Sequence, residues 1–313
     1  MTSTPILITR DEVRQLLDWD ALYRATREGL KMTAGADART AVSTQLLYTK
    51  GSLHLKAAVL EPQQIISVKS NLRPNVGGVS GVLLAYDLST ERLSGIIDAG
   101  LMTALRTGAI AAIAAERFCA PRPVSVAVLG VGPVGSQSIQ GLLRVLDVSQ
   151  VRLWSNHGVR AQQLATEIAD RVDTLTCQNL SDAISGVDVI ITATPATEPI
   201  LFSAHLLDAT LILAMGADTA GKRELSPRVL DDSDIVADAP DDALRVGECA
   251  HLSEARKGSV TSLGYWLDRD GSPPREHRHL IVDSVGSSPV DAAVTSIIMS
   301  RAAERGIGHP VQW

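Results

Sequence analysis

Residues 124–145, VSVAVLGVGPVGSQSIQGLLRV, combine three patterns in one short stretch. The run 124–129 is apolar and β-branched, as is typical of a strand that is buried on both faces. Gly130, Gly132 and Gly135 follow with the spacing G-x-G-x-x-G, and apolar residues then recur at helical intervals. The order of strand, glycine turn and helix predicts a dinucleotide-binding unit.

Each glycine has a physical role in such a turn. The first permits the tight turn, the second lets backbone N–H groups approach a pyrophosphate, and the third lets the helix pack closely on the strand. The helix N-terminus then presents unpaired amides to the phosphates. We therefore assign cofactor binding to Gly130, Gly132, Pro133, Val134 and Gly135. A chance glycine turn is the alternative, and the flanking strand and helix argue against it.

Composition limits the class of protein. The 313 residues, 45% of them hydrophobic, are enough for two domains with separate cores. A net charge of −6 without a basic run argues against a nucleic-acid partner. Three widely spaced cysteines indicate reduced thiols, and we expect no metal site. The N-terminus shows no leader pattern and no long uncharged apolar stretch occurs, so we expect a cytoplasmic protein without membrane contact.

Residues before the glycine turn mix helices and strands. The apolar spacing predicts one or two helices over 10–34. LLYTKGSLHLKAAVL, residues 46–60, predicts a hairpin that turns near Lys50 and Gly51, and further strands are expected over 65–72, 81–90 and 91–100. A helix of small residues, 103–118, then leads through a short linker into the turn.

After the turn, strands and helices alternate as in an α/β protein. We predict strands at 151–155, 187–196, 210–217, 234–238 and 280–286, a helix at 158–172, and a polar loop over 239–278. We treat His251, His277 and His279 as solvated. The last helix is expected to begin with a capping box of Ser288 and Asp291 around Pro289, and to stop at Gly306.

Several polar residues stand where the pattern predicts apolar ones. Lys69 lies in a strand-like run, either on a solvated face or as a pocket cation, and Arg106 lies in an otherwise uncharged small-residue helix, which favours a buried or pocket-facing guanidinium. Asp218 follows a predicted strand, where doubly wound sheets bind ligands, although it could also cap the next turn. The stretch Thr192, Ala193 and Thr194 ends another strand and is assigned to cofactor binding.

Five segments carry a resemblance that spans nearly the whole chain. They are SVKSN around Lys69, DAGLMTALRTGAIAA around Arg106, VLGVGPVGSQS, MGADTAGKRELSPRVL around Asp218, and VDSVGSSPVDAAVTSIIMSRAAERGIG near the end. In these the chain resembles the ornithine cyclodeaminase/mu-crystallin family, which includes cyclodeaminases, alanine and arginine dehydrogenases and ketimine reductases. The resemblance implies an α/β fold with a Rossmann NAD(P)-binding domain over 119–287. A second, α+β domain over 1–118 plus 288–313 would bind substrate and form a homodimer.

The resemblance also implies roles for single residues. Lys69 and Arg106, with Arg39 as a third contact, would bind the carboxylate of a small amino, imino or keto acid. Two or three cations suit that role, because arginine can hold a carboxylate with both arms of its fork. Lys69 and Asp218 would be catalytic, with Asp218 holding the substrate nitrogen or handling its proton. Hydride would pass between the substrate Cα and the nicotinamide of the cofactor.

One departure from the family pattern favours a reductase. In the cyclodeaminases that this chain resembles, a glutamate at the position of His54 would hold the distal amine of the substrate. Lys56 stands where many relatives have methionine. Strand alternation puts both on one face, where they would repel a diamine and attract an acid group. We predict an NAD(P)H-dependent oxidoreductase that reduces an imino or keto acid. A cyclodeaminase that recycles NAD and a non-catalytic, crystallin-like NADPH-binding protein are the alternatives.

The end of the second Rossmann strand bears on the choice of cofactor. NAD-specific proteins usually carry an acid about 20 residues past the glycine turn, where it binds the ribose 2′-OH. Here that position holds Ser155, followed by Asn156 and His157, with Arg160 nearby. These residues suit a 2′-phosphate, although Arg160 could instead be an exposed helix residue. We therefore expect NADPH to be favoured over NADH.

Overall fold

A computed structural model describes residues 4–35, 37–74, 78–156, 158–206, 210–269 and 277–312, apart from the side chain of His205. The chain forms two compact units. Unit 1 comprises Met1–Arg106 and Ser287–Trp313, and unit 2 comprises Thr107–Gly286. The domain boundaries expected from the sequence, after residues 118 and 287, stay a prediction.

Within its described residues, unit 1 contains a mixed sheet with the strand order β16-β1-β7-β6-β5-β4-β2, and β3 also pairs with β4. The strands are β1 (Ile6–Ile8), β2 (Ala38–Thr40), β3 (Thr44–Tyr48), β4 (Gly51–Leu60), β5 (Ile65–Pro74), β6 (Ser80–Asp87), β7 (Arg92–Asp98) and β16 (His309–Pro310). The helices are α1 (Arg10–Leu16), α2 (Trp19–Ala34), α11 (Ser288–Arg305) and the first part of α3 (Ala99–Phe118).

Within its described residues, unit 2 contains a parallel sheet with the order β10-β9-β8-β11-β12-β15-β13-β14. The strands are β8 (Val124–Leu129), β9 (Val148–Trp154), β10 (Asp173–Cys177), β11 (Val189–Thr192), β12 (Leu211–Ala214), β13 (Ser233–Ala237), β14 (Thr261–Ser262) and β15 (His279–Asp283). The helices are α4 (Pro133–Val145), α5 (Gly158–Ile168), α6 (Leu180–Ile184), α7 (Pro227–Asp231), α8 (Pro240–Val246), α9 (Glu254–Lys257) and α10 (Leu263–Trp266). Among the described residues, no helix is both long and apolar enough to cross a membrane.

Burial explains why the two sheets differ in sequence. In β5 the inward positions Ile65, Ser67, Lys69 and Asn71 are buried and alternate with partly exposed ones, because one face packs under α11. In β11, β12 and β15 every residue is buried, as expected for parallel strands covered on both faces. The first five strands of unit 2 take the spatial order 3-2-1-4-5 of a Rossmann fold, which confirms the predicted fold class.

Most predicted elements are confirmed, and the exceptions are polar stretches. The helices over 10–34 are α1 and α2, and the hairpin is β3–β4, with Tyr48 opposite Gly51. The predicted loop over 239–278 instead contains α8, α9, α10 and β14. His279 is buried at the start of β15 rather than solvated, and His277 is half-buried 2.8 Å from a carboxylate oxygen of Asp234.

The capping box expected at the last helix is wrong. Ser287 is the N-cap of α11, and the Asp291 side chain accepts a hydrogen bond from Lys69 instead of bonding back to the helix start. The predicted stop is confirmed, because Gly306 takes the left-handed φ of +62° that favours glycine.

Close packing of α2 against α11 gives a test of the fold. A Cβ at Gly29 would lie 2.6 Å from the Val290 Cα and 2.9 Å from the Val290 nitrogen, both backbone atoms of α11. We expect Gly29→Ala to lower the free energy of unfolding by about 3 kcal/mol, because the helices must separate to admit the methyl group. Urea unfolding would measure it. Gly35→Ala is the control, since the nearest atom to its Cβ lies at 3.8 Å, and equal losses in both variants would contradict this packing.

Candidate functional site

The glycine turn joins β8 to α4 in unit 2. Gly130 has a φ of +95°, and a Cβ there would lie 2.5 Å from the carbonyl oxygen of Ala193, so no other residue fits. A Cβ at Gly135 would lie 2.0 Å from the carbonyl oxygen of Gly130, so this glycine lets the helix approach the turn. At Gly132, by contrast, no atom lies within 4 Å of the Cβ position. The turn therefore leaves room for a ligand beside Gly132.

The N-terminus of α4 fits an anionic ligand. Gly132 is the N-cap and Pro133 and Val134 form the start of the helix, so no side chain of the N-cap competes for the first amides. Amides at a helix N-terminus favour negative charge, through their free N–H groups and the helix dipole. The residues present thus fit the pyrophosphate of a dinucleotide.

The end of β9 carries polar residues, as the sequence predicts. β9 ends at Trp154, and Ser155 and Asn156 follow it directly. Arg160 lies exposed in the first turn of α5. His157 lies outside the described residues. No acid stands at positions 155, 156 or 160.

A buried glutamate, which the sequence analysis did not single out, fastens the ends of two neighbouring strands. The Glu224 carboxylate accepts hydrogen bonds from the Thr192 hydroxyl at 2.8 Å and from both the N–H and the hydroxyl of Thr194 at 2.7 Å. It also accepts the N–H of Gly216 at 3.1 Å. The loops after β11 and β12 are therefore held by one side chain. Its position in MGADTAGKRELSPRVL, one of the segments that resemble the family, is the signal that could have identified it.

Unit 2 contains further buried carboxylates, and one of them contacts the backbone of this glutamate. Glu248 accepts the backbone N–H of Glu224 at 2.6 Å, and Asp283 accepts the N–H of Cys249 at 2.9 Å. Asp238 accepts the Ser284 hydroxyl at 2.8 Å. All these carboxylates are fully buried. Backbone and hydroxyl donors in unit 2 thus converge on acids at the carboxyl ends of the strands.

Burial changes the protonation of the acidic cluster, by which we mean Glu224, Glu248 and Asp283. It raises the pKa of Glu248 to about 8, with a further rise from the charge of Asp283. Burial likewise raises the pKa of Asp283 to about 7, and the charge of Asp238 adds to this. Burial also raises the pKa of Glu224, against its hydrogen bonds from Thr194. The cluster therefore holds protons at neutral pH that ordinary carboxyl groups would have released.

Asp218 follows β12 and has a cationic neighbour. The Lys222 ammonium lies 3.0 Å from the Asp218 Oδ1 and also donates to the carbonyl oxygen of Gly216 at 3.2 Å. The Thr219 hydroxyl donates to the same carboxylate at 3.2 Å. Both Asp218 and Lys222 remain partly exposed. Asp218 is thus an oriented carboxylate with access to solvent or a ligand.

In unit 1 the structure brings together two of the predicted cations. Lys69 on β5 and Arg106 on α3 are 2% and 3% exposed, and both contact Asp291 on α11. Lys69 donates a hydrogen bond to the Asp291 Oδ2, and the Arg106 Nε lies 3.1 Å from the Asp291 Oδ1. Two buried cations with one buried anion carry a net positive charge, which fits one carboxylate of a ligand.

The protonation of this trio follows from burial and charge. Burial lowers the pKa of Lys69 to about 7, although the charge of Asp291 acts in the opposite direction. Burial alone would raise the pKa of Asp291, but the charges of Lys69 and Arg106 outweigh it and lower that pKa. Lys69 is therefore poised to exchange a proton near neutral pH while Asp291 stays ionised.

The remaining predicted residues of unit 1 lie on β4 and β2. Lys56 stands directly across the strand pair from Lys69, and its charge also lowers the pKa of Lys69. His54 is buried two residues away, with its Nε2 2.8 Å from the Ser52 hydroxyl. Arg39 on β2 is largely exposed, 3.4 Å from a carboxylate oxygen of Glu61. Lys56 thus lies with the buried trio, whereas the described contacts place Arg39 beside Glu61.

The parallel sheet with a glycine turn that opens on a helix N-terminus defines unit 2 as a Rossmann fold of the dinucleotide-binding class. The chain belongs to the ornithine cyclodeaminase/mu-crystallin family, whose sequence profile it matches over residues 4–306.

Comparison with known proteins identifies relatives of similar length. The chain is 27% identical to iminosuccinate reductase of Paracoccus denitrificans over 267 residues, or 84% of this chain and 83% of that protein. It is 25% identical to alanine dehydrogenase of Archaeoglobus fulgidus over 320 residues, or 98% of each. A solved archaeal alanine dehydrogenase dimer with bound NAD has a TM-score of 0.91 at 23% identity, covering 99% of both chains, and this likeness shows the fold.

The raised pKa of Glu248 predicts how stability depends on pH. Between the unfolded value of 4.5 and the folded value of about 8, the unfolded chain loses the proton and the folded protein keeps it. The free energy of unfolding should therefore fall as pH rises through this window, by up to about 1.4 kcal/mol per pH unit from one group. Glu248→Gln should flatten the fall in urea unfolding at pH 5 to 8. Glu254→Gln, at an exposed glutamate, should leave it unchanged. Parallel curves for Glu248→Gln and the wild type would count against this assignment.

Proposed function

We propose that the protein is an NAD(P)H-dependent oxidoreductase that reduces imino or keto acids, and that it runs in reverse as an amino-acid dehydrogenase. The observation that carries this is the buried pair Lys69 and Arg106, whose net positive charge fits a substrate carboxylate. The glycine turn of unit 2 fits the dinucleotide. The relatives named iminosuccinate reductase and alanine dehydrogenase support the same class of reaction.

The proposed roles follow from charge and hydrogen-bonding capacity. Lys69 and Arg106 bind and orient the acid group, with Lys56 and Arg39 as further contacts. Lys69, with a pKa of about 7, can also donate a proton at neutral pH. Asp218 holds the substrate nitrogen or takes up its proton, and its partner Lys222 keeps the carboxylate oriented. The bound cofactor supplies the hydride.

The cofactor contacts that we propose follow the strand ends of unit 2. The glycine turn and the start of α4 bind the pyrophosphate, and the loop Thr192 to Thr194, fastened by Glu224, lies at the end of β11. Ser155, Asn156, His157 and Arg160 would bind a 2′-phosphate, which favours NADPH. NADH remains the second choice.

We further propose a homodimer, supported by the outer face of the unit 1 sheet. On this face Leu46, Leu53 and Leu72 are cross-strand neighbours, and Leu46 and Leu72 are 54% and 43% exposed. Val82 on the same side is 45% exposed. Burial of such a patch against a second copy would remove apolar surface from water. Cys119, Cys177 and Cys249 form no disulfide among the described residues, as expected in a reducing compartment such as the cytoplasm.

Cofactor turnover tests the proposed activity. With a panel of cyclic and linear imino acids, and keto acids with ammonium, we expect absorbance at 340 nm to fall in proportion to the substrate consumed. Ammonia release from diamino acids with no net absorbance change would identify a cyclodeaminase. If neither signal is seen, the protein only binds the dinucleotide.

Cofactor preference is tested by comparing NADPH and NADH side by side in the same assay. An NADH advantage of tenfold or more in kcat/KM, about 1.4 kcal/mol, would reject the phosphate role of residues 155–160.

Removing either buried cation tests the carboxylate clamp, by which we mean Lys69 and Arg106. Lys69→Ala and Arg106→Ala should each lose at least about 2 kcal/mol of transition-state stabilisation, because the acid group loses a charged donor. Cofactor affinity should stay near that of the wild type. Lys31→Ala, which removes a lysine that pairs with Glu28 in unit 1, is the control. Parallel loss of cofactor binding would show that the two cations are structural.

The open space at Gly132 tests the cofactor site. Gly132→Ala should leave the free energy of unfolding unchanged, since its Cβ meets no atom within 4 Å, yet it should weaken NADPH and NADH binding by about tenfold or more. Calorimetry measures the affinity and urea unfolding the stability. Gly258→Ala also adds a methyl group in open space, away from the turn, and should bind both cofactors normally. Equal affinities in the two variants would exclude the turn as the pyrophosphate site.

A further inference from the structure

Asp291 has a position that helix capping does not explain. It lies in the first turn of α11, and its carboxylate is 1% exposed. The two carboxylate oxygens are divided between Lys69 of β5 and Arg106 of α3. One side chain therefore joins three elements of unit 1 that are distant in sequence.

The charges around the clamp require such an anion. Lys69 and Arg106 are both buried, and the charge of Arg106 lowers the pKa of Lys69. Lys56 on β4 adds a third positive charge that acts on Lys69 and on Asp291, and buried His54 lies on the same strand face. Among the described residues, Asp291 is the acid that contacts both Lys69 and Arg106. A buried cation that lacks its counterion tends to lose its proton or to move out of its buried position.

We propose that Asp291 is the positioning residue of the carboxylate clamp, which holds the Lys69 ammonium and the Arg106 guanidinium side by side so that both bind one substrate carboxylate. This inference rests on the proposed function, because it assigns Asp291 to the same site. Asp291 does not touch the substrate. It sets the geometry of the two cations and keeps Lys69 protonated.

A direct titration of Lys69, which needs no substrate, tests whether Asp291 keeps Lys69 protonated. Protein labelled with ¹³C at the lysine Cε gives one resonance that disappears in Lys69→Arg, and its shift against pH reports the pKa. Asp291→Asn should lower that midpoint by about one unit or more, because an opposite charge in contact is lost. Asp18→Asn is the matched control, since it neutralises an aspartate that pairs with Arg301 of the same helix α11, and it should leave the midpoint unchanged.

Kinetic measurements test whether Asp291 acts on catalysis through the carboxylate clamp. If the midpoint falls from about 7 to about 6, the protonated fraction of Lys69 falls by only about a fifth at pH 5.5, but about fivefold at pH 7 and about tenfold at pH 8. The loss of kcat/KM in Asp291→Asn should therefore grow with pH, with cofactor affinity unchanged. A constant loss at every pH, or an unshifted Lys69, would overturn the proposal.

A second variant keeps the test decisive if Asp291→Asn does not fold. Asp291→Glu retains the charge but moves the carboxylate by one methylene group, so we expect a normal Lys69 midpoint with a raised KM for the acid and unchanged cofactor affinity. A wild-type KM would overturn the positioning role. Inactivity of the wild type on every acid tested would instead overturn the proposed function, whereas an unshifted Lys69 in an active enzyme would overturn only the role of Asp291.

Discussion

The neutralisation of two buried cations is the constraint on which unit 1 depends. Lys69 and Arg106 lose most of their hydration in the interior, and Asp291 returns part of that loss through direct ion pairs. Because the anion comes from the last long helix, the early strands cannot reach their final electrostatic state alone. α11 packs on β4 and β5 within unit 1, which places Asp291 next to Lys69.

In unit 2, buried carboxylates satisfy the hydrogen-bond donors of the loops at the strand ends. Parallel strands end in loops whose N–H and hydroxyl groups need acceptors once buried. Glu224 takes four such bonds, and Glu248 in turn accepts the N–H of Glu224. These hydrogen bonds tie the loops after β11 and β12 to one buried side chain. The cost is a set of acids with raised pKa values.

Local patterns in the sequence predicted local structure well. The β8 strand, the glycine turn and α4 follow one another within 22 residues, so their pattern contains all the interactions that define them. The local pattern predicts a helix cap at Asp291, because its true partner, Lys69, lies 222 residues away in sequence. β10 was not predicted, since DTLTC is short, polar and at the sheet edge. Glu224 lay in a segment that carried the resemblance, yet only the fold shows which donors it gathers.

The discontinuity of unit 1 has a consequence for how the protein is made. Residues up to Arg106 leave the ribosome before unit 2, but their unit is completed only by Ser287 and the residues after it. Unit 2 is continuous in sequence and can fold in the interval. During that time Lys69 and Arg106 have no Asp291 to pair with, and the groove for α11 beside Gly29 is empty. The nascent segment up to Arg106 therefore lacks both sets of contacts until α11 has been synthesised.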